Sequence, residues 1–174
     1  MASRKIFKSA TTAHASVRDV LALVFAQELL APSRDVFIVA PWITNVPILD
    51  NRLGGFDALN PEWGKRHIPL VEVLGALAAR GASLHIYTRP ARHNATFETR
   101  LDRTMQDSGV AHMCRFKTRD RLHTKGLLTD RVLIDGSMNL TISGISVNDE
   151  SVGVSFDGKA VAEARVHYDS YEQP

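Results

Sequence analysis

Short apolar runs alternate along the chain with segments in which apolar residues recur every three or four positions. The short runs predict buried strands, and the recurring residues predict the apolar faces of helices. The predicted strands cover residues 36–40, 84–88, 110–116, 126–128, 132–134 and 152–156, and the predicted helices cover residues 16–30, 69–80, 94–108 and 159–171. Strands that alternate with helices indicate an α/β fold in which helices cover both faces of a mixed sheet, an α/β/α sandwich.

Two of the predicted helices have residues suited to capping near their first turn. Ser16 and Asp19 stand at the spacing of a capping box, and Asn94 is placed to act as an N-cap. Residues 43–67 have no clear period and contain both glycine and proline. A segment of this kind inside a compact domain predicts a long connection that is functional or mobile.

Length and composition indicate a single domain over residues 1–174, with ordinary shares of 44% apolar and 23% charged residues. The net charge of +2 means that a nucleic-acid ligand would have to be recognised by a local basic patch. Cys114 is the only cysteine, which excludes an internal disulfide, and the histidines outside residues 122–150 lack the spacing of a zinc site. The first 14 residues lack the apolar core of a signal peptide, and no apolar run is long enough to cross a membrane. We therefore expect a cytoplasmic protein that does not associate with membranes.

Residues with chemical potential concentrate between positions 122 and 150. His123 and Lys125 are two positions apart, so on a strand both side chains leave the same face. Ser137 and Asn139 have the same spacing and follow the second apolar run of a predicted hairpin. An imidazole, an ammonium and two neutral hydrogen-bonding groups are suited to surround one phosphate.

The order H-x-K-x4-D, followed by G-S-x-N and a later glutamate, resembles the HKD signature of the phospholipase D superfamily. In this chain the signature consists of His123, Lys125, Asp130, Gly136, Ser137, Asn139 and Glu150. Five residues separate Asp130 from Gly136 where members often have six, which shortens the connecting hairpin. The resemblance implies a phospholipase D-like α/β/α sandwich, and residues 35–42 and 81–87 resemble the strands that precede the signature.

The resemblance also implies a reaction on a phosphodiester. His123 would be the nucleophile and would form a phosphohistidine intermediate. Lys125, Ser137 and Asn139 would bind the phosphate oxygens. No metal or other cofactor would be needed, because two copies each of His123 and Lys125 would supply the positive charge that the phosphate requires.

The carboxylates of the signature have different implied roles. Glu150 would accept a hydrogen bond from the far nitrogen of His123, with Asp149 as the competing carboxylate. Asp130 and Gly136 would be structural.

The signature occurs only once in this sequence. Larger relatives carry two copies, whereas a short chain with one copy resembles small bacterial nucleases in which two identical chains supply the two halves of the site. The resemblance therefore implies a homodimer with a self-complementary interface, in which the second His123 is the general acid.

Basic residues near the signature bear on the substrate. Consecutive odd positions carry Arg115, Lys117, Arg119, Arg121, His123 and Lys125. An extended chain would align them as a track for a phosphate backbone, with Arg119 and Arg121 as substrate contacts, whereas a turn at residues 118–120 would leave them as separate surface charges. Arg89 and Arg92 follow a predicted strand, where ligands approach α/β sheets.

The leading hypothesis is a metal-independent phosphodiesterase that acts on nucleic acid, with DNA preferred over RNA, as an endonuclease. One alternative is a lipid phosphodiesterase, for which the apolar residues Val46, Ile48, Leu49 and Leu53 would provide the lipid-facing lip. The other is a non-catalytic nucleic-acid-binding module. The resemblance to nuclease components of antiviral defence or restriction systems also suggests partner proteins from such a system.

Overall fold

The computed structural model describes residues 3–8 and 14–172. Over these residues the strands are β1 (Ser3–Lys8), β2 (Asp35–Val39), β3 (Pro47–Asp50), β4 (His67–Pro69), β5 (Ser83–Thr88), β6 (Cys114–Thr118), β7 (Gly126–Leu128), β8 (Leu133–Gly136) and β9 (Glu150–Ser155). Seven of them form one sheet in the order β1-β9-β8-β7-β2-β5-β6, and β3 pairs with β4 separately. The strands β2, β5 and β6 are parallel, and every other pairing in the main sheet is antiparallel.

Helices cover both faces of the main sheet, as predicted. They are α1 (His14–Leu30), α2 (Leu70–Ala79), α3 (Arg92–Asp107), α4 (Ile142–Ser146) and α5 (Gly158–Asp169). Alternate residues of each strand point to opposite faces, so Val36 and Ile38 join the core beneath α1, α2 and α3, whereas Phe37 and Val39 join the core beneath α5. The α/β/α architecture is therefore confirmed.

Two strand pairs were absent from the prediction. β1 lies in the polar segment before position 14, yet it pairs along its full length with β9 and buries Ile6 and Lys8. Residues 43–67 were predicted as one long connection, but they contain β3, a 3-10 turn at Pro61–Trp63 and the start of β4. Apolar side chains of this segment, including that of Trp63, enter the main core, which gives it regular structure without a clear sequence period.

Both capping predictions were wrong. α1 already includes His14, so Ser16 lies inside the helix and not at its start. The N-cap of α3 is Ala91, and Asn94 lies in the first turn with a buried side chain that bonds to neighbouring loops.

None of the helices in the described ranges combines the length and apolarity needed to span a bilayer.

Candidate active site

The signature residues gather at one edge of the main sheet because neighbouring strands run in opposite directions. Lys125 immediately precedes β7, Ser137 immediately follows β8, and Glu150 begins β9. Since β7, β8 and β9 are adjacent and antiparallel, these three positions come to the same edge. Val39 at the end of β2 pairs with Gly126, so the loops that follow the parallel strands reach this edge as well.

His123 and Lys125 lie in an irregular segment before β7 and not on the strand itself. The His123 side chain is exposed, and the Lys125 ammonium donates a hydrogen bond of 2.7 Å to the carbonyl oxygen of His123. An ammonium has three donors, so this bond positions Lys125 and leaves it able to bind an anion. Partial burial lowers the pKa of Lys125, the positive charge of Arg89 acts in the same direction, and the negative charge of Glu150 opposes them.

Ser137 and Glu150 form a hydrogen-bonded pair across β8 and β9. The Ser137 hydroxyl donates to the Glu150 carboxylate and accepts from the backbone N–H of Ser151 at 3.0 Å. The resemblance implied that Glu150 would bind the ring of His123. Within the described residues its side-chain partner is instead Ser137, because the pairing of β8 with β9 sets the two side chains together.

Gly136 has a structural reason to be glycine. Its φ angle is +139°, a region that side-chain-bearing residues rarely adopt, and a Cβ atom there would overlap the carbonyl oxygen of Ser151. The close approach brings Ser137 next to β9, and the Ser137 N–H donates to the Ser151 carbonyl at 3.0 Å. This glycine therefore permits the Ser137–Glu150 contact.

Two asparagines fix the loop that follows β2. The buried side-chain oxygen of Asn139 accepts from the backbone N–H of Trp42 at 3.3 Å, so its amide nitrogen is the group placed to donate to a ligand. Asn94 accepts from the N–H of Ile43 at 2.9 Å and donates to the carbonyl of Arg89 at 2.7 Å. The loops carrying Trp42 and Arg89 are thus held together beside the signature.

Lys8 is a residue of the site that the sequence analysis missed. It ends β1 opposite Glu150, is only 3% exposed, and donates from its ammonium to the carbonyl of Gly144 at 2.8 Å. Burial lowers the pKa of Lys8, and the nearby charges of Glu150 and Asp149 oppose that shift. The sequence signal that could have identified Lys8 is its position two residues after Ile6, because residues two apart on a strand point to the same face and Ile6 is buried.

Asp130 lies away from this edge, in the turn between β7 and β8. Its carboxylate accepts from the backbone N–H of Arg34 at 2.8 Å and from the guanidinium of Arg165 at 2.6 Å. These contacts tie the hairpin turn to the segment before β2 and to α5.

The predicted basic row does not continue beyond β6 as an extended strand. The N–H of Arg119 donates to the carbonyl of Thr88 at 2.8 Å, and the N–H of Leu122 then donates to the carbonyl of Arg119 at 3.2 Å. This turn ends the alternation, which is the second of the two alternatives considered. Arg121 is exposed in the turn, and Arg92 is exposed in the first turn of α3.

The same turn forms one wall of a surface depression next to His123. Residues 117–124 line it together with Tyr171 and Glu172. The Arg119 guanidinium donates to the carbonyl of Tyr171 at 3.0 Å and lies 5.2 Å from the centre of its ring, and Arg89 donates to the carbonyl of Asp120 at 3.0 Å.

In residues 3–8 and 14–172, no three histidine, cysteine, aspartate or glutamate side chains come together in a way that suits a metal ion.

Comparison with known proteins identifies the family. The sequence profile of the family described as "cardiolipin synthase, PLD-like domain" matches residues 59–171, which is more than half of the chain. This chain belongs to the phospholipase D-like family. The match covers the whole signature found by spacing, together with the turn after β6. No curated protein sequence matches the chain significantly.

Solved structures share the fold of this phospholipase D-like chain at low sequence identity. NucT from Helicobacter pylori has a TM-score of 0.63 and 12% identity over 97% of this chain and 95% of its own. Nuc from Salmonella typhimurium, described as a phospholipase D family member, has a TM-score of 0.60 and 14% identity over 97% of this chain and 92% of its own. TrmBL2, an archaeal chromatin protein, has a TM-score of 0.57 and 11% identity over 99% of this chain and 53% of its own. At these identities the similarity establishes a common fold.

Proposed function

We propose that this phospholipase D-like protein is a phosphodiesterase that cleaves DNA without a metal ion. The observation that supports it most directly is the convergence of Lys125, Ser137 and Glu150 on one edge of three adjacent strands, beside an exposed His123. An anionic phosphodiester needs both a nucleophile and charge neutralisation, and this edge offers both.

In the proposed reaction a ring nitrogen of His123 attacks phosphorus, a P–N bond forms and the bond to the leaving oxygen breaks. The same histidine of a second copy donates a proton to the leaving oxygen. It then takes a proton from water, which attacks phosphorus and breaks the P–N bond. Lys125 and the amide of Asn139 stabilise the charge on the non-bridging oxygens, while Glu150 orients Ser137 and balances the charge of Lys125.

Nucleic acid is a better substrate candidate than lipid because of what surrounds this edge. Cationic side chains of Arg89, Arg119 and Arg121 lie around the depression beside His123. Of the four apolar residues considered for a lipid-facing lip, Val46, Ile48 and Leu49 are at most 2% exposed and belong to the core. Leu53 is 97% exposed, and one such side chain does not form an apolar lip. Arg92 is an additional phosphate contact in this proposal.

A homodimer with a shared site also forms part of the proposal. Trp42, Ile142 and Val147 are 46%, 62% and 58% exposed. They flank the positions of Asn139 and Glu150 in the loops at this edge, and such apolar groups are suited to a self-complementary interface. A cytoplasmic location and a partner protein from a defence system remain predictions from the sequence.

Cleavage of plasmid DNA in EDTA tests the proposal. We expect nicking and linearisation by the purified protein in chelator, and a loss on the order of 10³-fold or more in His123→Ala. His112→Ala is the matched control, because His112 is exposed in the short turn before β6, away from the signature. Parallel incubations with RNA and phosphatidylcholine test the other substrates. Activity that chelation abolishes, or that His123→Ala retains, would contradict the covalent route.

The second candidate function is nucleic-acid binding without cleavage. The similarity to TrmBL2, described as a chromatin protein with a novel mode of DNA binding, is the observation that favours it. Tight binding of plasmid DNA with no cleavage in any buffer would support this function in place of the first.

A further inference from the structure

On the face of the sheet that α5 covers, polar and cationic side chains of β5 and β6 adjoin the core, and one of them, Tyr87, is buried in it. α5 packs on the central strands through Val161 and Tyr168. Beyond it, β5 and β6 present two cross-strand pairs on the same face. They are His85 with Arg115 and Tyr87 with Lys117. We call these four side chains the anion seat.

The carboxylate of Glu172 contacts all four side chains of the anion seat, and Nε2 of His85 also lies 3.1 Å from the carboxylate of Asp35. The Tyr87 hydroxyl and His85 Nδ1 contact Oε1 of Glu172, the histidine nitrogen at 3.3 Å. Oε2 of Glu172 lies 3.0 Å from the Lys117 ammonium and 3.3 Å from the Arg115 guanidinium. The hydrogen bond from Tyr87, assisted by Lys117 and His85 and opposed by partial burial, lowers the pKa of Glu172 to about 2. The four side chains therefore favour the ionised form of this carboxylate.

The anion seat is continuous with the depression that contains His123. Glu172 and Lys117 line that depression, and the Tyr171 hydroxyl donates to Thr124 Oγ1 at 2.9 Å, one residue beyond His123. The segment containing Tyr171 and Glu172 thus lies across the surface between the seat and the nucleophile.

A phosphate could replace this carboxylate with little loss of contacts. Both groups present anionic oxygens to the same donors, and charge-assisted bonds to phosphate are at least as strong. Arg115 and Lys117 keep 65% and 44% of their side-chain surface exposed, so their ion pairs with Glu172 are of the weak, exchangeable kind.

We propose that the anion seat binds a backbone phosphate of nucleic acid, and that Glu172 occupies the seat in the free protein and competes with the substrate. The proposal rests on the proposed function for the identity of the ligand. It extends the substrate surface from the signature edge onto the open sheet face, and it makes Glu172 a built-in competitor.

Binding of a fluorescein-labelled oligothymidylate tests the competition. The measurement is fluorescence anisotropy at several salt concentrations, with all proteins in the His123→Ala background to prevent cleavage. We expect Glu172→Gln to raise affinity about threefold or more at low salt and to steepen the slope of log K against log[salt] by about 0.7, because one more phosphate of a single strand is bound. Glu163→Gln is the matched control, because it removes the same charge from an exposed position of α5 whose ion-pair partner is Lys159 at 3.8 Å.

A second variant identifies the seat. Adding Lys117→Met to Glu172→Gln should remove the gain in affinity and in salt slope. Equal behaviour of Glu172→Gln and Glu163→Gln, or a gain that survives Lys117→Met, would overturn the proposal.

A measurement on protein that keeps Glu172 tests the proposal even if the Glu172→Gln variant does not fold. Titration of the oligonucleotide should shift the ring resonances of His85 in NMR spectra, and resonances that do not move would overturn the proposal. If the wild-type protein cleaves DNA but Glu172→Gln leaves the affinity unchanged, only the anion-seat proposal is contradicted. If Glu172→Gln raises the affinity but the wild-type protein does not cleave DNA, only the catalytic proposal is contradicted.

Discussion

Lys8 and Glu172 show how individual charges are placed by distant parts of the chain. Lys8 is brought beside Glu150 by strand pairing, and Glu172 is brought onto β5 and β6 by the turn after α5. Neither contact follows from local sequence, because each partner is far away along the chain. His123, Lys125, Ser137 and Asn139 could be singled out because their spacing is itself a chemical pattern.

The carboxylate of Glu172 is expected to contribute stability that acid removes. Its pKa is about 2 in the folded chain against an ordinary 4.5, so the unfolded chain takes up the proton first as the pH falls. The contribution is complete above the ordinary value and is lost as the pH falls through about 2. We expect Glu172→Gln to lower the free energy of unfolding by about 1 kcal/mol at neutral pH and by only a small fraction of that at the acid end, because solvent screens the exposed ion pairs.

Urea unfolding of wild type and Glu172→Gln at several pH values measures this difference. Asp50 also has a lowered pKa, but its partner is Arg52 and not a group of the anion seat, so its contribution is common to both proteins and cancels in the comparison. A gap that stays constant on acidification would mean that these contacts do not stabilise the ionised form.

At the scale of elements, the β7–β8 hairpin and its contact with β9 hold the signature together. Thr129 and Asp130 anchor the turn at one end, and Gly136 allows the close approach to β9 at the other. The site therefore depends on the register of three strands as much as on its reactive side chains.

Replacing Gly136 with alanine is expected to damage both stability and activity. The positive φ angle and the overlap with the Ser151 carbonyl should cost about 2–4 kcal/mol of unfolding free energy and separate Ser137 from Glu150. Thermal and urea unfolding measure the loss, and plasmid cleavage measures the effect on the site. Gly158→Ala is the control, because a Cβ atom there meets no atom within 4 Å. Equal stability of the two variants would show that the strand approach tolerates a side chain.

The periodic elements could be predicted from the sequence, whereas the strands defined by pairing could not. The helix over residues 94–108 and the hairpin over residues 126–134 have strong local patterns, and both were confirmed as α3 and as β7 with β8. β1, β3 and β4 lack a strong local pattern, and each of them is a strand because a partner lies alongside. The capping role predicted for Asn94 failed because its tertiary contacts with Ile43 and Arg89 take the side chain elsewhere.

For the whole molecule, the main question is whether one chain or two complete the site. The described residues place one His123 at the signature edge, and the proposed chemistry uses two such rings. A two-fold axis near the exposed side chains of Trp42, Ile142 and Val147 would supply the second.

Mixing wild-type chains with an equal amount of His123→Ala chains distinguishes the two arrangements. If both histidines act in one site, random pairing leaves about one quarter of the activity of wild type at the same total protein concentration. The reason is that only dimers with two intact chains cleave. Plasmid cleavage after joint refolding measures this fraction, and light scattering verifies the dimer. Retention of about one half of the activity would show that each chain carries an independent site.

The pairing of β1 with β9 has a consequence for synthesis of the protein. The two strands come from opposite ends of the described chain, and contacts so remote in sequence form late because a long intervening loop must close first. Glu150 joins its neighbours only after most of the domain has left the ribosome. On the proposed mechanism, a nascent chain that already carries His123 and Ser137 lacks the carboxylate that orients Ser137 until β9 has been synthesised and has paired with β8.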